Sequence, residues 1–272
     1  MALLGESGAG EGGVRWIPPA CLEGACQMAV DELLLDAAVA GGEVSRPVIR
    51  LYRWSRPTLS LGFHQSRIEP PWWELAREGV IDMVRRPTGG RAVLHAGDLT
   101  YALIWPAPGL PRLEAYRRAC CWLQQAFADL GLPLRFGERR PTAEQASCFA
   151  LATPADLVHG DGGKRIGSAQ LWRRGHLLQH GSIQLAPPAP LWQQLFGSPA
   201  PALAPLPVAD DDLVKRLEAA AVRTWGVMRT QPLTPHELQE VQERLPRYRV
   251  EEPTGVASGA SSSPELSMPR AT

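Results

Sequence analysis

Arg85-Arg86-Pro87-Thr88-Gly89-Gly90-Arg91-Ala92-Val93-Leu94-His95 is the stretch on which the fold assignment turns. It reads as a strand that stops at a Pro-Thr-Gly-Gly turn and restarts as a second strand. Two consecutive glycines let backbone approach a ligand closely and permit positive φ. Successive N–H groups in such a turn can form a concavity for an anion, and Arg86 and Arg91 add positive charge. Taken alone, Thr88, Gly89, Gly90 and Arg91 read more simply as a plain hairpin turn.

A second segment, Gly163-Lys164-Arg165-Ile166-Gly167-Ser168-Ala169-Gln170, follows and runs on to His180-Gly181-Ser182. Gly162-Gly163-Lys164 invites a phosphate-loop reading, but the spacing fails. That motif needs Gly six residues before the Lys and Ser or Thr directly after it, where this chain has Val158 and Arg165. The segment reads instead as a turn presenting Lys164 at the start of a strand. An ammonium there can hold a carbonyl or phosphoryl oxygen as a point charge; a solvated hairpin lysine is the plainer alternative.

Of the five cysteines, Cys148 lies in a small polar stretch, Ala146-Ser147-Cys148-Phe149-Ala150, just before the second segment. A free thiol has a pKa near ~8.5, and a neighbouring Lys⁺ would raise its thiolate fraction. Cys120 and Cys121 sit on a helix, and Cys21 and Cys26 flank a helix start without metal-ligand spacing, so these four read as small hydrophobes. His95 and His180 each end or interrupt an apolar strand. No third group is spaced to join either of them in a Ser–His–Asp or Cys–His arrangement, and no cluster has metal spacing.

The 272 residues allow one large domain, or one domain with a small appendage, and 44% hydrophobic content suffices for a full core. Lys plus Arg and Asp plus Glu are 28 each, which argues against nucleic-acid binding by bulk charge. Met1-Ala2-Leu3-Leu4-Gly5-Glu6 lacks a basic n-region, and no apolar run reaches the ~18 residues of a membrane helix. An odd cysteine count without regular spacing is no disulfide framework, so a cytoplasmic location is expected.

Residues 1–13 and 251–272 read as disordered ends, and 14–250 as the folded unit. Helix signals cover 24–40, 69–78, 113–130, 211–228 and a stretch opening with the capping box Thr234-Pro235-His236-Glu237. In 113–130 an apolar stripe comprises Leu113, Tyr116, Cys120, Leu123, Phe127 and Leu130. Strands are expected over 47–54, 58–63, 81–86, 92–95, 99–105, 156–158, 165–172 and 176–185. The Pro-rich stretch 186–207 reads as a linker broken by a helical turn over 191–196. Hairpins and separate helices indicate α+β rather than alternating βαβ units.

In combination and order, the two quoted segments, with His180-Gly181 and Leu99-Thr100-Tyr101, resemble the biotin/lipoate protein ligase and acyltransferase superfamily. The resemblance spans roughly residues 15–185. It implies an α+β fold with one catalytic domain and a mixed, curved β-sheet flanked by helices. Within that superfamily the chain is closest to the octanoyltransferases of bacillus type, which carry their cysteine before the Gly-Lys segment. Cys148 holds that place and no cysteine follows it. The sequence departs from the pattern at Ala96-Gly97-Asp98, where an acidic residue commonly follows the histidine directly, and at Ala102, where Ser is frequent.

The resemblance implies Cys148 and Lys164 as catalytic residues. It implies a substrate site of Arg86, Thr88, Gly89, Gly90, Arg91, Ala92, His95, Gly167, Ser168, Ala169, His180 and Gly181, with no metal. Octanoyl-acyl carrier protein would be the donor and a lipoyl-domain protein such as glycine cleavage H protein the acceptor. The transferase needs no cofactor, whereas an ATP-dependent lipoate–protein ligase on the same fold would need ATP and Mg²⁺. A non-catalytic acyl-binding module is the alternative from another class. Arg85, Arg86, Arg91, Arg139, Arg140, Arg165, Arg173 and Arg174 are expected to form a basic rim.

Overall fold

The computed structural model describes residues 13–41, 46–138, 154 and 156–252. In chain order the elements are β1 (Val14–Leu22), α1 (Gly24–Val39), β2 (Val48–Trp54), β3 (Thr58–Leu61), α2 (Pro70–Arg77), β4 (Asp82–Arg85), β5 (Val93–His95) and β6 (Asp98–Trp105). They continue with α3 (Arg112–Asp129), β7 (Arg135–Phe136), β8 (Asp156–Val158), β9 (Lys164–Arg173) and β10 (His176–Gln184). The last are α4 (Ala189–Phe196), α5 (Asp210–Trp225), β11 (Met228–Thr230) and α6 (Pro235–Arg244).

Eight strands form one sheet in the order β11-β1-β2-β6-β10-β9-β8-β7. β1 runs parallel to both neighbours, and the remaining pairings are antiparallel, so the sheet is mixed. The α+β class and the mixed sheet flanked by helices are as expected. β1 is absent from the sequence-derived strands because Pro18 and Pro19 interrupt it. Proline has no N–H for the ladder, and the β1–β2 register shifts between Ile17 and Ala20.

Alternation along the central strands divides the core. Ile49, Leu51, Leu99, Tyr101 and Leu103 face α3 and α5, whereas Val48, Tyr52, Ala102 and Ile104 face α1. α3 buries Ala115, Ala119, Cys120, Trp122, Leu123, Ala126 and Phe127. Leu113, counted in the expected stripe, is exposed, and alanines let the helix sit close to α5 instead. α1 is buried on several sides, because the large sheet, β4 and α6 all pack on it. The capping box of α6 forms, with Thr234 Oγ1 accepting from Glu237 N and Glu237 Oε2 accepting from Thr234 N.

A second, three-stranded sheet, β4-β3-β5, is parallel on one side of β3 and antiparallel on the other. α2 and α4 cover it through Trp72, Leu75, Trp192 and Leu195. α4 arises within the Pro-rich stretch and is two residues longer at its start than the expected turn. Trp72 Nε1 donates to the carbonyl of Leu195 at 2.7 Å and ties the two helices. The small sheet stands beside the large one, and the glycine turn between β4 and β5 points into the gap.

Candidate active site

A cavity of about 470 Å³, including its open mouth, fills that gap. The small sheet and its turn contribute Ser60, Arg86, Gly89, Gly90, Val93 and His95. The large sheet contributes Tyr52, Trp54 and Thr100 from β2 and β6, then Gly167, Ser168 and Ala169 from β9 and His180, Gly181 and Ser182 from β10. Met28 of α1 closes a third side. Nine residues of the expected site, Arg86, Gly89, Gly90, His95, Gly167, Ser168, Ala169, His180 and Gly181, thus line one space.

The turn is held by a buried cation. Arg86 donates through Nη1 to the Ser60 carbonyl at 2.8 Å and through Nη2 to the carbonyls of Gly89 at 2.8 Å and Arg91 at 2.7 Å. Arg86 therefore shapes the loop with its own hydrogen bonds. Gly90 has φ 98, the left-handed region that favours glycine, and a Cβ on Gly62 would lie 1.8 Å from the Gly90 carbonyl oxygen. Only backbone fits at that crossing.

Two buried histidines tie the turn and the strands to carboxylates. His180 Nδ1 donates to Asp31 Oδ2 at 2.8 Å, and its Nε2 is hydrogen-bonded with Thr88 Oγ1 at 2.6 Å. Asp31 also receives Arg50 Nη1 at 2.9 Å and Tyr52 OH at 2.8 Å. His95 Nδ1 donates to Asp98 Oδ2 at 2.9 Å and its Nε2 accepts from Ser60 Oγ at 2.9 Å. Thr100 and Ser182 hydroxyls complete the shell of Asp98 at 3.1 and 2.6 Å. Burial lowers the pKa of His95, with Asp98 pulling the other way. The Trp54 ring stacks on His95 at 3.9 Å.

The Ser60–His95–Asp98 chain corrects the expectation that no third group joins these histidines. Its members come from β3, β5 and β6, and no sequence spacing links Ser60 to the others. Asp31, Tyr52, Trp54 and Ser60 were not singled out in the sequence. A usable signal was Asp31 itself, a carboxylate inside the apolar helix Met28–Ala38, and Arg50, a cation inside the apolar strand β2.

The other expected residues take different places. Thr88 is buried behind the turn against His180. Ala92 packs into the core of the small sheet, and Arg91 contributes its carbonyl to Arg86. Lys164 is buried, with Nζ 3.0 Å from Asp156 Oδ1, and Asp156 pairs across the ladder with Gly167 of the cavity wall. Arg165, expected on the basic rim, is fully buried instead. It donates to His159 Nε2 and the Gln184 carbonyl, and burial lowers its pKa to about 10. Cys148, Arg139 and Arg140 lie outside the described residues. None of the described cysteines lines the cavity. Burial raises the pKa of Cys26 and Cys121 and lifts that of Cys120 to about 12, so these thiols stay protonated.

On the α3 side of the β9–β10 wall, Tyr101 OH and Ser168 Oγ are 2.8 Å apart, and Gln179 Nε2 donates to Tyr101 at 2.8 Å. A Cβ on Gly181 would meet Ser168 Oγ and Tyr101 at 2.6 Å, so the His-Gly sequence is a packing requirement of this wall.

Residues 23–197 match the lipoyl protein ligase A/B catalytic domain. The chain belongs to that family. Among its relatives, an octanoyltransferase LipM of Carboxydothermus hydrogenoformans is 38% identical over 174 residues, 62% of this chain and 64% of that protein. A second octanoyltransferase LipM, of Halalkalibacterium halodurans, is 38% identical over 183 residues, covering 63% and 65%. The chain thus spans somewhat under two thirds of the length of these relatives. Solved structures of the same fold include a lipoate-protein ligase A bound with ATP, with a TM-score of 0.72 at 18% identity, covering 86% of this chain and 95% of that one. A bi-partite lipoate protein ligase of Thermoplasma acidophilum, described with its E2 lipoyl domain, gives a TM-score of 0.67 at 18% identity, covering 86% and 92%.

Proposed function

We propose that this chain is an acyltransferase of protein lipoylation. It moves an octanoyl group from octanoyl-acyl carrier protein to a lysine of a lipoyl-domain protein such as glycine cleavage H protein. The supporting observation is the cavity itself: residues of the two quoted segments face each other across it, and Lys164 pairs with Asp156, the ladder partner of the wall residue Gly167.

Cys148 is the nucleophile. Its thiolate attacks the donor carbonyl, a new C–S bond forms, and the carrier thiolate leaves and is protonated. Exchange of one thioester for another is nearly isoenergetic, so no nucleotide is consumed. The neutral ε-amine of the target lysine then attacks the acyl-enzyme. The C–N bond forms, the amine loses a proton, and Cys148 departs as thiolate. Lys164 holds the carbonyl oxygen as negative charge develops, with Asp156 fixing the ammonium. Arg86, through the Gly89-Gly90 turn, keeps the acyl chain against the β9–β10 wall.

Intact-protein mass spectrometry after incubation with octanoyl-acyl carrier protein tests this. The expected result is one octanoyl adduct that maps to Cys148 and is lost in Cys148→Ser. Lysine modification that requires ATP and Mg²⁺ and survives Cys148→Ala would instead establish a ligase.

A further inference from the structure

A second depression, about 1160 Å³ including its open side, adjoins the acyl cavity and shares Arg86 and Gly89 with it. Its lining differs in character. Arg85, Arg112, Arg173 and Arg247 contribute four cations, and Glu32 is the one carboxylate among its lining residues. Glu32 is already engaged: Arg173 and the Tyr248 hydroxyl both donate to it. Arg173 is further paired with Asp36, which also holds Arg244. Arg85 spends its guanidinium on the carbonyls of Gly62 and Gln65.

Arg112 and Arg247 are different. Both are exposed, and among the described residues neither forms an ion pair. The Arg112 guanidinium stands over the Trp172 ring at 6.0 Å, and Trp172 Nε1 donates to Gln170 Oε1 at 2.9 Å. The groove therefore has a net positive charge, an aromatic wall and the Gln170 side-chain amide, and it meets the acyl cavity at Arg86 and Gly89. Such a surface suits a long polar ligand with an anionic end, not an apolar chain.

We infer that this groove receives the phosphate-bearing arm of the acyl donor, with Arg112 and Arg247 contacting the phosphate of a phosphopantetheine thioester. The inference rests on the thioester donor proposed above. A thioester reaching the cavity must carry its leaving thiol outward, and the groove that shares Arg86 and Gly89 with the cavity is the cationic path for the rest of the arm. A phosphate held by two arginines at a half-open site gains charge-assisted hydrogen bonds, and losing them costs roughly tenfold to a hundredfold in affinity.

The test compares two donors that differ only in the phosphate, octanoyl-pantetheine and octanoyl-phosphopantetheine, for transfer to a lipoyl-domain lysine. The wild-type chain should show a kcat/KM at least about tenfold higher for the phosphorylated donor, weakening with added salt. In Arg112→Ala/Arg247→Ala the ratio of the two kcat/KM values should fall toward one. Both positions are exposed, so thermal unfolding should stay close to wild type. Calorimetric titration with phosphopantetheine and with pantetheine gives a readout independent of turnover: binding that needs the phosphate in the wild type and is lost in the double variant supports the site. Equal use of the two donors by the wild type, or a preference that survives in the double variant, overturns it. Phosphate-dependent binding without transfer from either donor would leave the groove standing and sink the transferase reading. Absence of phosphate-dependent binding sinks the groove.

Discussion

His95 illustrates how a single side chain reports on the site. It is held neutral by burial, and its ring links Ser60 to Asp98. Its folded-state pKa lies below the unfolded value of about 6.5, so the unfolded chain binds more protons as pH falls through that value. The contribution of His95 to stability is therefore fully present above about pH 6.5 and is lost as the pH falls toward the folded pKa. Denaturant titrations at a series of pH values should show stability decreasing on acidification, with a shallower slope in His95→Gln. An unchanged slope in that variant would mean that His95 is not the titrating group. At this scale the sequence was informative about glycines and the two histidines, because their motifs are local. It was silent on Ser60, Tyr52 and Trp54, which are ordinary strand residues until β3 and β2 bring them to the same space.

At the scale of elements, α1 is joined to the glycine turn through one buried network: Arg50 and Tyr52 on β2, Asp31 on α1, His180 on β10 and Thr88 in the turn. Asp31 is its only carboxylate, and Arg50 is 2% exposed. Removing the carboxylate leaves a buried guanidinium without its counter-charge, which costs about 3–5 kcal/mol. Asp31→Ala should lower the unfolding free energy by that amount in chemical denaturation; a loss below about 1 kcal/mol would show that water or another acceptor replaces Asp31. Element existence was legible wherever apolar periodicity was unbroken, as in α3, β6 and β10. It was not legible in β1, where Pro18 and Pro19 disguise a strand. Nor was it legible in β11, whose three residues Met228–Thr230 form a strand only because β1 lies alongside.

The whole molecule sets two sheets side by side, with residues of the two quoted segments on opposite walls of the cavity between them. The family was legible because those motifs keep their order and their local turns, and the joint pattern is far more specific than either part. The charge layout was not legible. The chain is neutral overall, and the run of arginines suggested a continuous rim. Folding buries Arg86 and Arg165, engages Arg173 with Glu32 and Asp36, and brings Arg112 and Arg247 from distant positions to one groove. Pairing over such sequence separations depends on packing, which no local signal encodes.

The central claim is that the acyl group enters as a thioester and leaves as an amide without nucleotide activation. It is tested most directly by offering a lipoyl-domain acceptor either octanoyl-acyl carrier protein without ATP or octanoic acid with ATP and Mg²⁺, and measuring lysine octanoylation by mass spectrometry. Modification with the carrier-protein donor alone, abolished in Cys148→Ser, is the predicted result. Modification only with octanoic acid and ATP would contradict it.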